Sequence, residues 1–150
     1  MFNKDISEIP GCFAECITED STFVGNPERY VALPAQDFHE RMNECTVPGI
    51  NSIGKISLAP GDTFYIGDCG VTGHRRGMSY TMEIVAWNAN NSGRTLTDTP
   101  TVGKIQDVGN AIARVCSKER VNNGVTGYAF GGVNRIGQTN DISYFVYAWS

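Results

Sequence analysis

The stretch GDCGVTGHRRGMSYTMEIVAWN, residues 67–88, decides how the rest of this chain is organised. Its second half alternates, with Tyr80, Met82, Ile84 and Ala86 in step and Thr81, Glu83 and Val85 between them. That is the period of a β-strand with one face buried. Its first half places Cys69, His74, Arg75 and Arg76 in a glycine-rich segment. Such a segment suits a disulfide at a hairpin, a binding surface or part of a catalytic site.

Upstream, LPAQDFHERMNEC (33–45) has Pro34 in a first-turn position, with Phe38, Met42 and Cys45 at i, i+4 and i+7 on one face. This spacing predicts a short amphipathic helix. TVPGINS then breaks it. KISLA and DTFYIGDC follow as strand-like runs around PGD, a turn signature that predicts a hairpin between them. The first thirty-three residues read as an irregular N-terminal segment, in which GCFAECI has the look of one helical turn carrying Cys12 and Cys16 on one side.

Downstream, Val102, Ile105, Val108, Ile112 and Val115 recur every three or four residues behind Thr99 and Pro100, predicting a long helix that ends near Gly124. VTGYAFGGV and DISYFVYAW close the chain as strands. The second is apolar on both faces, which places it centrally in a sheet. Two helices around antiparallel strands point to an α+β fold, a two-layer α/β-sandwich with a small, mainly antiparallel sheet and both helices on one face.

At 150 residues the chain suits a single domain spanning 1–150, with 34–150 forming the sandwich. No run approaches the roughly eighteen apolar residues of a membrane span, so no membrane insertion is expected. A net charge of -4 argues against a nucleic-acid partner. The opening MFNKDISEIPG lacks the basic-then-apolar plan of a signal peptide. Asn90-Asn91-Ser92 is a glycosylation triplet of a kind that also arises by chance.

Cys12, Cys16, Cys45, Cys69 and Cys116 form no CxxC pair, and the two histidines are far apart in sequence, so neither a metal site nor a cofactor is expected. The five cysteines fit disulfides with one thiol left over, or buried thiols in a reducing compartment. His39 lies on the polar side of its helix and reads as inert. Trp87, Tyr144, Phe145, Tyr147 and Trp149 read as core and sheet surface, although aromatic side chains also serve binding faces.

The strand-ending GDC, the strand SYTMEIVAW, the helix VGKIQDVGNAIARVC, the turn NNGVTGYAFGG and the closing GQTNDISYFVYAW follow one another in an order that resembles fungal killer-toxin-like proteins. That group contains the smut-virus killer toxin and related effectors secreted by plant-pathogenic fungi. The resemblance runs from about residue 35 to the end, and the chain lacks the group's usual cysteine near the C-terminus. It implies an α/β-sandwich, a Cys45–Cys69 disulfide and a secreted, non-enzymatic effector. Such an effector binds a protein or membrane-protein target on a host or competitor cell, and a monomer is expected. His74, Arg75 and Arg76 then form the exposed tip of a hairpin and the candidate binding residues.

A second resemblance competes with the first. LAPGDTFYIGDCGVTGH is similar to the stretch of bacterial cell-wall cysteine peptidases in which a Pro-Gly-Asp turn precedes the catalytic histidine. It implies a peptidase or amidase acting on cell-wall peptides, with Cys12 as nucleophile and His74 as its general base.

Overall fold

The alternating pattern of Tyr80–Ala86 and the helical pattern of Ile105–Ile112 meet in one hydrophobic core. The computed structural model describes residues 13–16, 33–75, 77–88, 93–122, 128–129, 131–135 and 142–149. In chain order these form β1 (Phe13–Cys16), β2 (Leu33–Pro34), α1 (Ala35–Glu44), α2 (Ile50–Ile53), β3 (Ile56–Leu58), β4 (Thr63–Arg75), β5 (Met78–Trp87), β6 (Leu96–Asp98), α3 (Val102–Asn122), β7 (Tyr128–Ala129), β8 (Gly131–Arg135) and β9 (Ser143–Trp149).

An antiparallel five-stranded sheet runs in the order β1-β8-β9-β5-β4. Its central strand β9 is buried on both faces from Ser143 to Ala148, as its composition predicts. On one face Tyr80, Met82, Ile84 and Ala86 of β5 join Tyr144, Val146 and Ala148 of β9 against Ile105, Val108 and Ile112 of α3 and Phe38 and Met42 of α1. The fold is therefore the expected α+β sandwich, with α1 and α3 contributing to one core on that face.

Thr101 starts α3: its carbonyl accepts from Ile105 N at 3.0 Å and its Oγ1 from Lys104 N at 3.2 Å. The cap thus falls two residues after Thr99, the cap expected ahead of Pro100. Where α1 crosses α3, Gly109 admits Met42, whose Cγ would stand 2.6 Å from a methyl on that glycine. A ring of three hydrogen bonds borders the crossing. His39 Nδ1 donates to Asn110 Oδ1 (2.8 Å), Asn110 Nδ2 to Asn43 Oδ1 (3.0 Å), and Asn43 Nδ2 to His39 Nε2 (3.1 Å). His39, expected to be inert, is a structural link between the two helices.

Two local readings are corrected. KISLA and DTFYIGDC do not form a hairpin: β3 pairs with β6 through Ile56↔Asp98 and Leu58↔Leu96, and β4 pairs with β5. The Pro60-Gly61 turn redirects the chain, and buried Asn88 ties the junction by donating to Leu58 O and Arg94 O, both at 2.9 Å. The GCFAECI segment is not a helical turn over its described residues, because Phe13–Cys16 is a strand paired with β8. Its apolar pattern is too short to separate helix from strand without the partner that completes the ladder.

Candidate functional site

The GDCGVTGH segment belongs to β4, which continues to Arg75 and is interrupted by register shifts at Tyr65/Gly67 and Asp68/Thr72. These irregularities turn Cys69 toward α1. Cys45 and Cys69 are disulfide-bonded with a Cα separation of 4.3 Å, and both are fully buried. Thr46 N donates to Cys69 O at 3.0 Å beside the bridge. Asp68 Oδ1 accepts from Gly70 N at 2.7 Å, and Gly70 takes φ +78° under Pro48, where a β-carbon would stand 2.9 Å from the proline ring. Only glycine fits there without strain.

Beyond the disulfide, β4 and β5 extend past the sheet. Among the described residues β5 pairs with β9 only from Trp87 to Thr81, whereas the β4–β5 ladder continues through Gly73↔Tyr80 and His74↔Ser79 to Arg75↔Met78. The two strands thus project as a ribbon. Its base is fixed by Tyr80, which lies over Gly73 so closely that a β-carbon there would be 2.2 Å from the ring. His74 is exposed at the ribbon's end, with Ser79 Oγ 3.2 Å from its Nδ1. Arg75 follows in the strand, while its side chain, Arg76, Cys12 and the glycosylation triplet lie outside the described residues. The side chains of Cys16 and Cys116 do as well.

Phe13 and His74 lie on the two outermost strands of the five-stranded sheet. Phe13, the residue after Cys12, aligns across the sheet with Arg135, Ser143 and Trp87. His74 is aligned with Ser79, eight residues away from Trp87 along β5 and at the other end of the sheet. Four strand spacings of about 4.8 Å and eight residues of about 3.4 Å separate Phe13 from His74 by roughly 30 Å along the sheet.

The sheet face opposite the helices carries Trp87 stacked on Phe145 with ring centroids 5.1 Å apart, and Tyr147 edge-on to Trp149 at 5.9 Å. Tyr147 Oη donates to Glu83 Oε2 at 3.2 Å. Tyr65 shares this face and is 55% exposed. Burial, followed by the negative charges of Glu83 and Asp68, raises the pKa of its phenol above the ordinary value. Neither Tyr65 nor Glu83 stands out in the residue-by-residue reading of the sequence. The available signal is the adjacency of Phe64 and Tyr65, since neighbouring residues of a strand point to opposite faces and cannot share one core.

A second polar group forms around Asp98, reached by Tyr144 from the core face of the sheet. Asp98 accepts from Lys104 Nζ at 2.6 Å through Oδ1 and from Tyr144 Oη through Oδ2. Burial pushes this carboxyl up, but hydrogen bonds from Lys104 and Tyr144, the ammonium charge and the backbone at Thr99 outweigh it and hold the pKa below the ordinary value. The group joins β6, β9 and the start of α3.

No group of metal-ligating side chains occurs among the described residues, and no described helix is long and apolar enough to cross a membrane. The chain matches no protein-family model, no curated protein and no solved structure.

Proposed function

We propose that this protein is a secreted, killer-toxin-like effector that binds a protein or membrane-protein component of a host or competitor cell and acts without catalysis. The buried Cys45–Cys69 disulfide carries the reading. It is the pair implied by the resemblance, and stable disulfides of this kind belong to oxidising compartments. The projecting β4–β5 ribbon supplies the binding element. His74 is exposed on it, and Arg75 and Arg76, next in the sequence, bring two cationic side chains.

Two experiments test this reading. The protein is applied to susceptible fungal or plant cells, and surface binding is compared with that of His74→Ala and the double variant Arg75→Glu/Arg76→Glu. The single change leaves binding within a few-fold, as loss of one exposed side chain outside a hot spot does. The charge reversal weakens it by tenfold or more, about 1.4 kcal/mol. Undiminished binding by the reversed variant removes the tip from the interface. Separately, incubation with cell-wall peptides followed by mass spectrometry yields no cleavage. Products that vanish in both Cys12→Ala and His74→Ala establish the peptidase instead, because loss of a general base removes roughly 100-fold to 10,000-fold of rate.

A further inference from the structure

Strand β4 ends the five-stranded sheet, and the described residues cover its outer edge over only part of its length. Around the disulfide, Thr46 N donates to Cys69 O, Val47 packs beside Gly67, and Pro48 packs beside Gly70. Before that point Thr63, Phe64 and Tyr65 are all exposed, and no described strand pairs with their outer side. The phase of the ladder is set by Asn88 N, which donates to Asp62 O at 3.0 Å. In an antiparallel pair the bonding direction alternates along each strand, so the Asp62 carbonyl and the backbone groups of Phe64 face β5, while Asp62 N donates to Ala59 O at 3.0 Å. Thr63 and Tyr65 direct theirs outward. Phe64 at 40% and Tyr65 at 55% are the exposed large apolar side chains among the described residues, one on each face of this edge.

Folded proteins commonly protect an open edge with lysine or an inward charge. This edge is flanked by acids instead. Asp62 precedes it, Asp68 follows it, and Glu83 lies beside Tyr65 on the same face of the sheet. Among the described residues no ion pair involves Asp68 or Glu83. An electron-rich ring with two carboxylates beside it and no described cation between them matches a positively charged side chain.

We propose that the Thr63–Tyr65 edge is a docking site for an extended segment of a partner protein, which adds as a strand and lays a Lys or Arg side chain across the Tyr65 ring toward Asp68 and Glu83. The outward N–H and C=O groups of Thr63 and Tyr65 hold the added backbone, and the ring and carboxylates select the cation. Burial is the first cause of the raised pKa of the Tyr65 phenol, and the negative charges of Glu83 and Asp68, which add to it, are those that the arriving cation meets. A second copy of this chain is a poor occupant: pairing β4 with β4 brings two acidic flanks together, and like charges across a strand pair repel. The site is separate from the ribbon tip and does not depend on what the tip engages.

The test is NMR titration of the uniformly 15N-labelled full chain with two nine-residue peptides of alternating Thr and Val, one with Arg and one with Glu at the central position. The Arg peptide shifts the amides of Thr63 and Tyr65 saturably, and the Glu peptide binds at least about fivefold more weakly. Tyr65→Ala and Glu83→Gln each weaken the Arg peptide by about two- to fivefold. An Arg peptide N-methylated at the positions that face Thr63 and Tyr65 shows no saturable shift, which tests strand addition without altering the protein. The proposal is overturned by equal binding of the two peptides, by the absence of saturable shifts up to millimolar peptide, or by shifts centred on His74. Concentration-dependent self-association through Thr63 and Tyr65 without peptide overturns it in favour of a second copy.

Discussion

Met42 of α1 rests against the Cα of Gly109 in α3, where a methyl group would lie 2.3 Å from its Cε and 2.6 Å from its Cγ. The closeness of the two helices depends on that missing side chain. Gly109→Ala gains up to about 1 kcal/mol of helix propensity. It also forces Met42 out of its place, at a cost of about 1 to 3 kcal/mol. The net effect is destabilising. Gly103→Ala, in the first turn of the same helix with nothing within 4 Å, is neutral or stabilising. Urea unfolding of both variants checks the contrast, and a stabilised Gly109→Ala shows that the helices are not held this closely.

Ile112 is fully buried in the core that α3 shares with β5 and β9. Truncation to Ala removes three heavy atoms from a site lined by neighbours that relax only in part, and costs about 2 to 5 kcal/mol. A change below about 0.5 kcal/mol is the behaviour of a surface position and contradicts the helix orientation.

The bridge between Cys45 and Cys69 closes a loop with a sequence separation of 24. On the chain-entropy model that constraint contributes about 3.5 kcal/mol. The double variant Cys45→Ala/Cys69→Ala therefore unfolds at a markedly lower urea concentration than the oxidised protein, and treatment with reductant lowers the midpoint of the parent more than that of the variant, which keeps Cys12, Cys16 and Cys116. Equal midpoints for oxidised and reduced parent show that the bridge contributes no stability.

Acid acts through Asp98. Its folded-state pKa lies below the ordinary carboxylate value, so the unfolded chain takes up this proton first as the pH falls. The contribution is fully present above about pH 4, the ordinary carboxylate range, and is lost as the pH falls through the lower folded-state value. Tyr144→Phe removes one hydrogen bond to this charged group, at a cost of about 1.5 to 3 kcal/mol near neutral pH. It also flattens the pH dependence of the urea midpoint between about pH 2 and pH 5. An unchanged acid profile in Asp98→Asn assigns the acid sensitivity to other carboxylates.

The contrast between Tyr80–Ala86 and Ile56–Leu58 separates what is written locally from what is not. Alternation along β5 and three-to-four spacing along α3 predict their buried faces, because each follows from the geometry of a single element. The all-apolar run of β9 likewise places it at the centre of the sheet. The partner of Ile56–Leu58 is different: a Pro-Gly turn points to the next strand, yet β3 pairs with Leu96–Asp98, some forty residues on. That choice depends on where β4 and β5 lie and on Asn88 bonding both flanking segments, which no local pattern encodes. The same holds for the site. Cys69 and His74 are visible as residue types, and a resemblance, not spacing, pairs Cys69 with Cys45. The offset of His74 from Phe13, four strands across and eight residues along the sheet, emerges only from four consecutive strand registers. The exposure of Tyr65 beside Asp68 and Glu83 emerges only when two strands of opposite direction bring them onto one face. Local periodicity sets which side of each element is apolar; long-range hydrogen bonding and packing set which elements meet, and the candidate binding surfaces lie where elements meet.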